Sequence, residues 1–342
     1  MMNQQKQTEP EWTIIKLLQW ATSYFKSNGI DSPRATAEIL LAHTLGLKRI
    51  DLYLRHDQPL NRSELDLFKS LIKRRTNKEP VAYIVGGKEF WSMELAVSKD
   101  VLIPRPETEC LVEEALSVLA KEHLCNPNPD KRDSFQYPLE GCKEVYEIIS
   151  CRSFQYPPEG WKNAGNNLLL PKRILEMGTG SGAVILAIAS QKPEQLYFAS
   201  DISINASGIA IKNAKQLGFD DKISFFCGNW FLPLKEKDNF FDIIISNPPY
   251  IRRNDIGNLQ PEINRFEPFE ALDGGEDGLD HIRHIIEHAH QFLNNEGNLL
   301  LEIGHDQKDA VDKIIKETGN YKRVYFRKDY SGFDRVVCAA KS

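Results

Sequence analysis

"ILEMGTGSGAVILAIA", residues 174–189, opens on an apolar run and turns through Gly178, Thr179, Gly180, Ser181 and Gly182. It closes on a second apolar run with helical spacing. Glycines between a strand and a helix let backbone N–H groups approach a ligand and let the helix pack against the strand. Outward from this turn the same alternation repeats. "RILEMG" is followed by a helix over 182–190, "LYFASD" by a helix over 205–216, then "ISFFCG", "FDIIIS", a helix over 278–294, "NLLLEIG" and a helix over 306–318. The ending "KRVYFRKDYSGFDRVVCAAK" reads as a hairpin. Five strands with crossovers plus a closing hairpin predict an α/β, doubly wound, mainly parallel seven-stranded sheet with an antiparallel strand at its end.

Ligands of such sheets sit outside the carboxyl ends of the strands. Glu176 lies on the strand just before the turn, and Asp201 ends the second strand, where a carboxylate can accept from ribose hydroxyls. The turn reads GxGxG rather than GxGxxG. A sulfonium nucleoside with an amino-acid tail needs an acidic strand end, which Glu176 could supply. The turn alone leaves a methyltransferase and another nucleotide binder open. The third strand ends in "CGNWF", placing Asn229 and Trp230 where an adenine would lie. The Asn229 amide oxygen can accept from an adenine amino group, and Trp230 can pack on the ring. A core tryptophan beside a turn asparagine fits the spacing equally well.

The fourth strand breaks into Asn247, Pro248, Pro249 and Tyr250. Two prolines fix two φ angles and remove two donors, leaving one carboxamide, bare carbonyls and one aromatic ring. A planar amide or exocyclic amine is a poor nucleophile because its lone pair is delocalised. The Asn247 side-chain oxygen and the Pro248 carbonyl could grip its two N–H bonds while Tyr250 stacks on the plane. Positioning of this kind is worth roughly 7–11 kcal/mol in well-oriented systems, and it needs no general base before attack.

At 342 residues, two domains are the better expectation. Residues 1–79 read as a helical bundle. "EWTIIKLLQWATSYFKSNG" puts Ile14, Leu17, Leu18, Ala21 and Phe25 on one face, and Ser32 with Pro33 opens a second helix. Lys48, Arg49, Lys73, Arg74 and Arg75 form a basic set, either a solvated face or a docking surface. Residues 80–103 alternate around Gly86-Gly87 and read as a hairpin linker, with 104–342 as the second domain. Within it, "SFQYPLEG" (134–141) returns as "SFQYPPEG" (153–160), so 121–172 reads as a duplicated surface insertion. The six cysteines show no zinc-ligand spacing, and no metal is expected. The start resembles no signal or transit peptide and nothing approaches a membrane span, so a cytoplasmic chain is expected. Net charge of −5 argues against bulk affinity for nucleic acid.

Taken together, "EMGTGSG" and "NPPY" resemble the amino-methyltransferases that use S-adenosylmethionine. The stretch "EPVAYIVGGKEFW…VLIPRPETE" (79–109) is similar to the linker signature of the peptide chain release factor glutamine methyltransferases. So is "RFEPFEALDGGEDGL" (265–279), and "KDYSGFDRVV" fits that family's closing hairpin. The resemblance implies a class I methyltransferase fold and N5-methylation of a glutamine side chain in the Gly-Gly-Gln loop of class 1 release factors. It makes the N-terminal helical domain a holder of that protein partner. A monomer is expected, with neither nucleic acid nor membrane as a partner. One departure is Asn229, where the family usually has an acidic residue: the acceptor is kept and the charge is lost. The rival readings are a ribosomal-protein glutamine methyltransferase, an N6-adenine or N2-guanine nucleic-acid methyltransferase, and a silent cofactor-binding scaffold. The second would want a basic target-recognition domain and a base-flipping pocket.

Overall fold

The computed structural model describes residues 12–122, 171–234 and 240–342. The repeated octapeptides at 134–141 and 153–160 lie outside these described residues. The chain forms two compact units, one of Met1–Gly87 with Leu259–Phe266 and one of Lys88–Asn258 with Glu267–Ser342.

The first unit is built on α1 (Ile14–Ser27), α2 (Pro33–Leu45), α3 (Asp51–Leu54), α4 (Arg62–Thr76) and α5 (Val81–Val85). The five apolar positions named for α1 are all buried, as a helical period demands. Ser32 stands at the N-cap of α2, yet its hydroxyl makes no capping bond, and Pro33 sets the helix start instead. α4 carries a full capping box between Asn61 and Glu64. Three of the basic residues are occupied inside this unit. Arg49 pairs with Glu38, Arg74 with Glu79, and buried Arg75 with Glu262 at 3.0 Å. Arg75 also donates to the Glu79 carbonyl at 3.1 Å. An open basic face is therefore confined to fewer residues than the sequence offered.

The run over 80–103 is a hairpin only in part. Its opening residues form α5, between Pro80 and a left-handed Gly86. Five apolar residues bounded by Pro and Gly suit a buried helical turn as well as a strand. The pairing strands are β1 (Gly87–Phe90) and β2 (Met93–Ala96), joined through Trp91 and Ser92, both at positive φ. Glu109 accepts the Trp91 N–H at 3.0 Å, which supports the turn.

In the second unit α6 (Glu109–Glu122) precedes β3 (Arg173–Met177), α7 (Ala183–Gln191), β4 (Leu196–Asp201), α8 (Ile204–Leu217), β5 (Ile223–Cys227) and β6 (Phe241–Ser246). Two short helices follow, α9 (Arg253–Ile256) and α10 (Pro261–Asn264), the latter in the first unit. Then come α11 (Asp280–Ala289), β7 (Leu293–Glu302), α12 (Lys308–Thr318), β8 (Tyr321–Lys328) and β9 (Asp334–Lys341). The sheet has seven strands in the order β5-β4-β3-β6-β7-β9-β8. β3 to β7 run parallel, and β9 is antiparallel to both β7 and β8. β3 and β6 are buried at every residue because helices cover both faces. Ile174, Ile243 and Ile245 pack toward α6 and α7, while Leu175, Met177 and Ile244 pack toward α11 and α12.

α11 ends at Ala289, short of the expected 294, and β7 begins at Leu293. The Phe292 carbonyl accepts from both Phe240 and Phe241, which draws the chain into the sheet early. Strand order reverses at β3, which lies between β4 and β6. The glycine turn after β3 and the Asn-Pro-Pro-Tyr element after β6 thus stand side by side at the carboxyl ends of two adjacent strands, the edge where such sheets hold ligands.

Candidate active site

The glycine turn is fixed from three sides. Thr179 N–H donates to the Ser200 carbonyl at 2.9 Å. Asp201 receives Gly180 N–H on Oδ2 at 2.8 Å and Ser203 N–H on Oδ1 at 2.9 Å. Burial raises the Asp201 carboxyl, and these backbone donors oppose the rise. From α8, buried Asn213 donates to the carbonyls of Ser181 at 2.8 Å and Ala96 at 3.0 Å. Gly182 is required twice over. Its φ is +80°, and a Cβ there would meet Leu186 at 3.1 Å and Ala210 at 3.3 Å.

Glu176 lies beneath the turn, only 3% exposed. One carboxylate oxygen accepts from Thr179 Oγ1 at 2.5 Å and from Ile185 N–H at 3.2 Å. Burial pushes its pKa up to about 8, against those two donors, and Asp201 adds to the rise. The folded protein therefore keeps a proton that the unfolded chain has released. Stability should fall as pH rises from about 4.5 through about 8. Glu302, raised to about 7 by burial, adds to this trend. Melting temperature should accordingly drop across this window, and Glu176→Gln should flatten part of the drop. An unaltered slope in the variant would remove Glu176 as a source.

Beyond β5, Asn229 is exposed and Trp230 half-buried, at a φ of +48°. The indole packs against His281, ring centroids 5.3 Å apart. A Cβ on Gly178 would sit 4.0 Å from the Trp230 ring, which places that ring beside the glycine turn. The ring also packs against the core cluster of Leu175, Met177 and Ile244, so this placement fits a core tryptophan as well as a wall beside the turn.

The Asn-Pro-Pro-Tyr element is braced by residues far away in sequence. Asn247 Nδ2 donates to Thr108 Oγ1 at 3.2 Å, and Thr108 belongs to the "IPRPETE" run. Among the described residues the Asn247 carboxamide oxygen has no hydrogen-bond donor, so it is the free end of the group. Tyr250 donates its hydroxyl to Glu302 Oε1 at 3.1 Å, at the end of β7. Burial raises the Tyr250 phenol first of all, and Glu302 raises it further, so it stays neutral. Gln307 donates to the carbonyls of Tyr250 and Gly278, both at 3.0 Å.

The "DGGEDGL" run packs directly on this loop. Ile251 N–H bonds the Leu272 carbonyl at 3.1 Å, and Gly274 N–H bonds the Ile251 carbonyl at 2.8 Å. A Cβ on Gly274 would lie 2.8 Å from the Tyr250 backbone, too close for any side chain. Glu267 ties the neighbouring run to the "IPRPETE" stretch, accepting from Arg105 at 2.5 Å and from Ile103 N–H at 3.3 Å. Gly274→Ala should push the Tyr250 loop outward and destabilise the protein by about 1–3 kcal/mol. Turnover should fall further than that loss of folded protein explains. Wild-type turnover in a folded Gly274→Ala protein would contradict the buttress.

Sequence reading singled out Glu176, Gly178, Thr179, Gly180, Ser181, Gly182, Asp201, Asn229, Trp230 and the Asn247–Tyr250 element. All of them stand at the carboxyl edge of β3, β4, β5 or β6. It missed Thr108, Gly274, Glu302 and Gln307. Glu302 carried one usable signal, a lone acid ending the apolar run "NLLLE".

The fold is that of a Rossmann-like methyltransferase domain, a class that uses S-adenosylmethionine. Residues 171–341 match the family model described as a methyltransferase domain, and residues 16–86 match the PrmC N-terminal domain. A release factor glutamine methyltransferase of Rhodopirellula baltica is 33% identical over 331 residues, covering 97% of each chain. One of Vibrio cholerae is 37% identical over 325 residues, covering 95% of this chain and 96% of its own. One of Geobacter sulfurreducens is 35% identical over 330 residues, covering 96% and 97% respectively. The chain belongs to the release factor glutamine methyltransferase family. Among the described residues no helix is long and apolar enough to cross a membrane.

Proposed function

We propose that this chain transfers a methyl group from S-adenosylmethionine to the side-chain amide nitrogen (N5) of the glutamine in the Gly-Gly-Gln motif of class 1 release factors. The observation that carries this reading is the Asn247 carboxamide, whose nitrogen is held by Thr108 and whose oxygen is left to accept. Family membership supports the same acceptor class.

The residues present fit the methyl donor. At Gly180 a Cβ would meet nothing within 4 Å, so the turn offers open backbone rather than packed side chains. Each Asp201 oxygen takes one backbone N–H and keeps a lone pair for a ribose hydroxyl. Glu176, Gly178, Thr179, Ser181 and Gly182 shape the floor, Asn229 accepts from the adenine amino group, and Trp230 packs on its ring. Bound there, the donor supplies an electrophilic methyl on a sulfonium.

The Asn247 oxygen and the Pro248 carbonyl accept the two N–H bonds of the target amide and hold it in plane. Tyr250 stacks on that plane, Pro249 stiffens the segment, and Asn247 also borders the donor. As the N–C bond forms and the S–C bond breaks, the amide nitrogen becomes cationic. It then loses one proton to solvent. The acceptors stabilise those N–H bonds as positive charge develops, which is electrostatic preorganisation rather than base catalysis.

In this reading residues 1–79 hold the protein partner, 80–103 link them to the catalytic domain over 104–342, and the enzyme acts as a cytoplasmic monomer. The test compares methyl transfer from tritiated donor to purified release factor, ribosomal protein, DNA and RNA. Label should enter the release factor. Preferential labelling of a nucleic acid or a ribosomal protein would contradict the proposal.

A further inference from the structure

Glu302 ends β7 at 1% exposure, and its Oε2 is buried without a hydrogen-bond partner among the described residues. Its Oε1 takes the Tyr250 hydroxyl. The Thr108 hydroxyl acts on the same carboxyl and favours its ionised form. That hydroxyl already accepts from Asn247 Nδ2, so its own hydrogen is left to give. Oε2 is thus a buried acceptor left open, and the Thr108 hydroxyl is the largest of the influences that favour the ionised carboxylate.

We propose that Glu302 is a positioning residue that sets which end of the Asn247 carboxamide faces the target amide, through a one-way relay from Asn247 Nδ2 to Thr108 to Glu302. The polarity follows from donor and acceptor inventory. An ionised carboxylate can only accept, so Thr108 must donate to it and can then only accept from Asn247. The Asn247 nitrogen is thereby committed to Thr108, and the oxygen is committed to the substrate. A protonated Glu302 releases Thr108, whose hydroxyl can then donate to the Asn247 oxygen and let the carboxamide rotate. The same carboxylate holds Tyr250, so one group orients two walls of the amide pocket. The inference rests on the proposed use of Asn247 as amide acceptor.

Burial lifts the Glu302 pKa to about 7, with Thr108, Arg335 and Tyr250 pulling it down and Glu107 pushing it up. Arg335 reaches it from β9 and Glu107 from the turn before α6, and Arg105 acts on Tyr250. Cys110 on α6, its thiol raised by burial, also faces this carboxyl. With donor and acceptor saturating, kcat should rise with pH through about 7.

In Glu302→Gln the amide can donate as well as accept, so the relay loses its direction. This variant should lose the neutral pH limb and fall about tenfold or more in kcat, with little change in donor Kd. Thr108→Val should do the same, and Thr108→Ser, which keeps the hydroxyl, should restore most of kcat. The double variant should be no worse than either single one, because both break one relay. A second readout is independent of the methyl acceptor. In isotope-labelled protein without substrate, the Asn247 side-chain NH2 resonance should titrate near pH 7 in wild type. It should not do so in Glu302→Gln. A titration that persists in Glu302→Gln, or wild-type kcat and pH profile in that variant, overturns the relay. A relay intact by resonance in an enzyme that methylates no release factor overturns the functional reading instead.

Discussion

Asn247→Ala lowers kcat for methyl transfer by about 10²–10³-fold, the range seen when one preorganised transition-state contact is removed. The Kd of S-adenosylmethionine stays within a small factor, because the turn and Asp201 are untouched. The substitution deletes the acceptor oxygen and also leaves Thr108 without the donor it now receives at 3.2 Å. Pro248 still offers its carbonyl, but one acceptor cannot hold a planar amide against rotation. The loss therefore appears in kcat rather than in binding, as expected for a contact made fully only in the transition state. Isothermal calorimetry and steady-state kinetics on one preparation separate the two. Wild-type turnover would remove Asn247 from the mechanism, and a parallel collapse of donor binding would make it a cofactor residue alone.

Asp201→Ala has its effect at the other half of the crevice. Each hydrogen bond to a charged group is worth about 1.5–3 kcal/mol, so losing the ribose contacts should weaken donor binding by about 10²-fold or more. The structure adds a second cost. Asp201 holds Gly180 at 2.8 Å and Ser203 at 2.9 Å, so the glycine turn and the start of α8 lose a shared anchor. Asp201→Asn, which keeps an acceptor oxygen, should recover part of the turn but not the charge. Unchanged donor affinity in Asp201→Ala would detach this carboxylate from the cofactor site.

The catalytic sheet was legible because its signals are local. Gly178 to Gly182, the apolar runs of β3 and β6, and Asp201 at a strand end each announce themselves within a few residues. Asn247 to Tyr250 stood out for the same reason. Thr108 lies inside the quoted linker signature, but its role as a bracket stayed hidden because its partner Asn247 lies 139 residues away. Glu302 was hidden likewise, since only the β6–β7 pairing brings it to Tyr250. Gly274 lies in the quoted "RFEPFEALDGGEDGL" run, but its requirement, space against the Tyr250 backbone, arises only in the fold. α5 was misread because its five apolar residues have no period long enough to separate a strand from a helical turn. Arg75 looked like surface charge, and its burial follows from Glu262, supplied by a segment that rejoins the first unit late in the chain.

The most direct measurement is the site of methylation on a class 1 release factor incubated with enzyme and S-adenosylmethionine, located by fragment-ion mass spectrometry. The predicted result is one methyl on the glutamine side-chain amide of the Gly-Gly-Gln motif, absent when that glutamine is replaced by alanine and strongly reduced with the Asn247→Ala enzyme. A methyl on any other residue, or an acceptor that remains labelled after the glutamine is replaced, would contradict it.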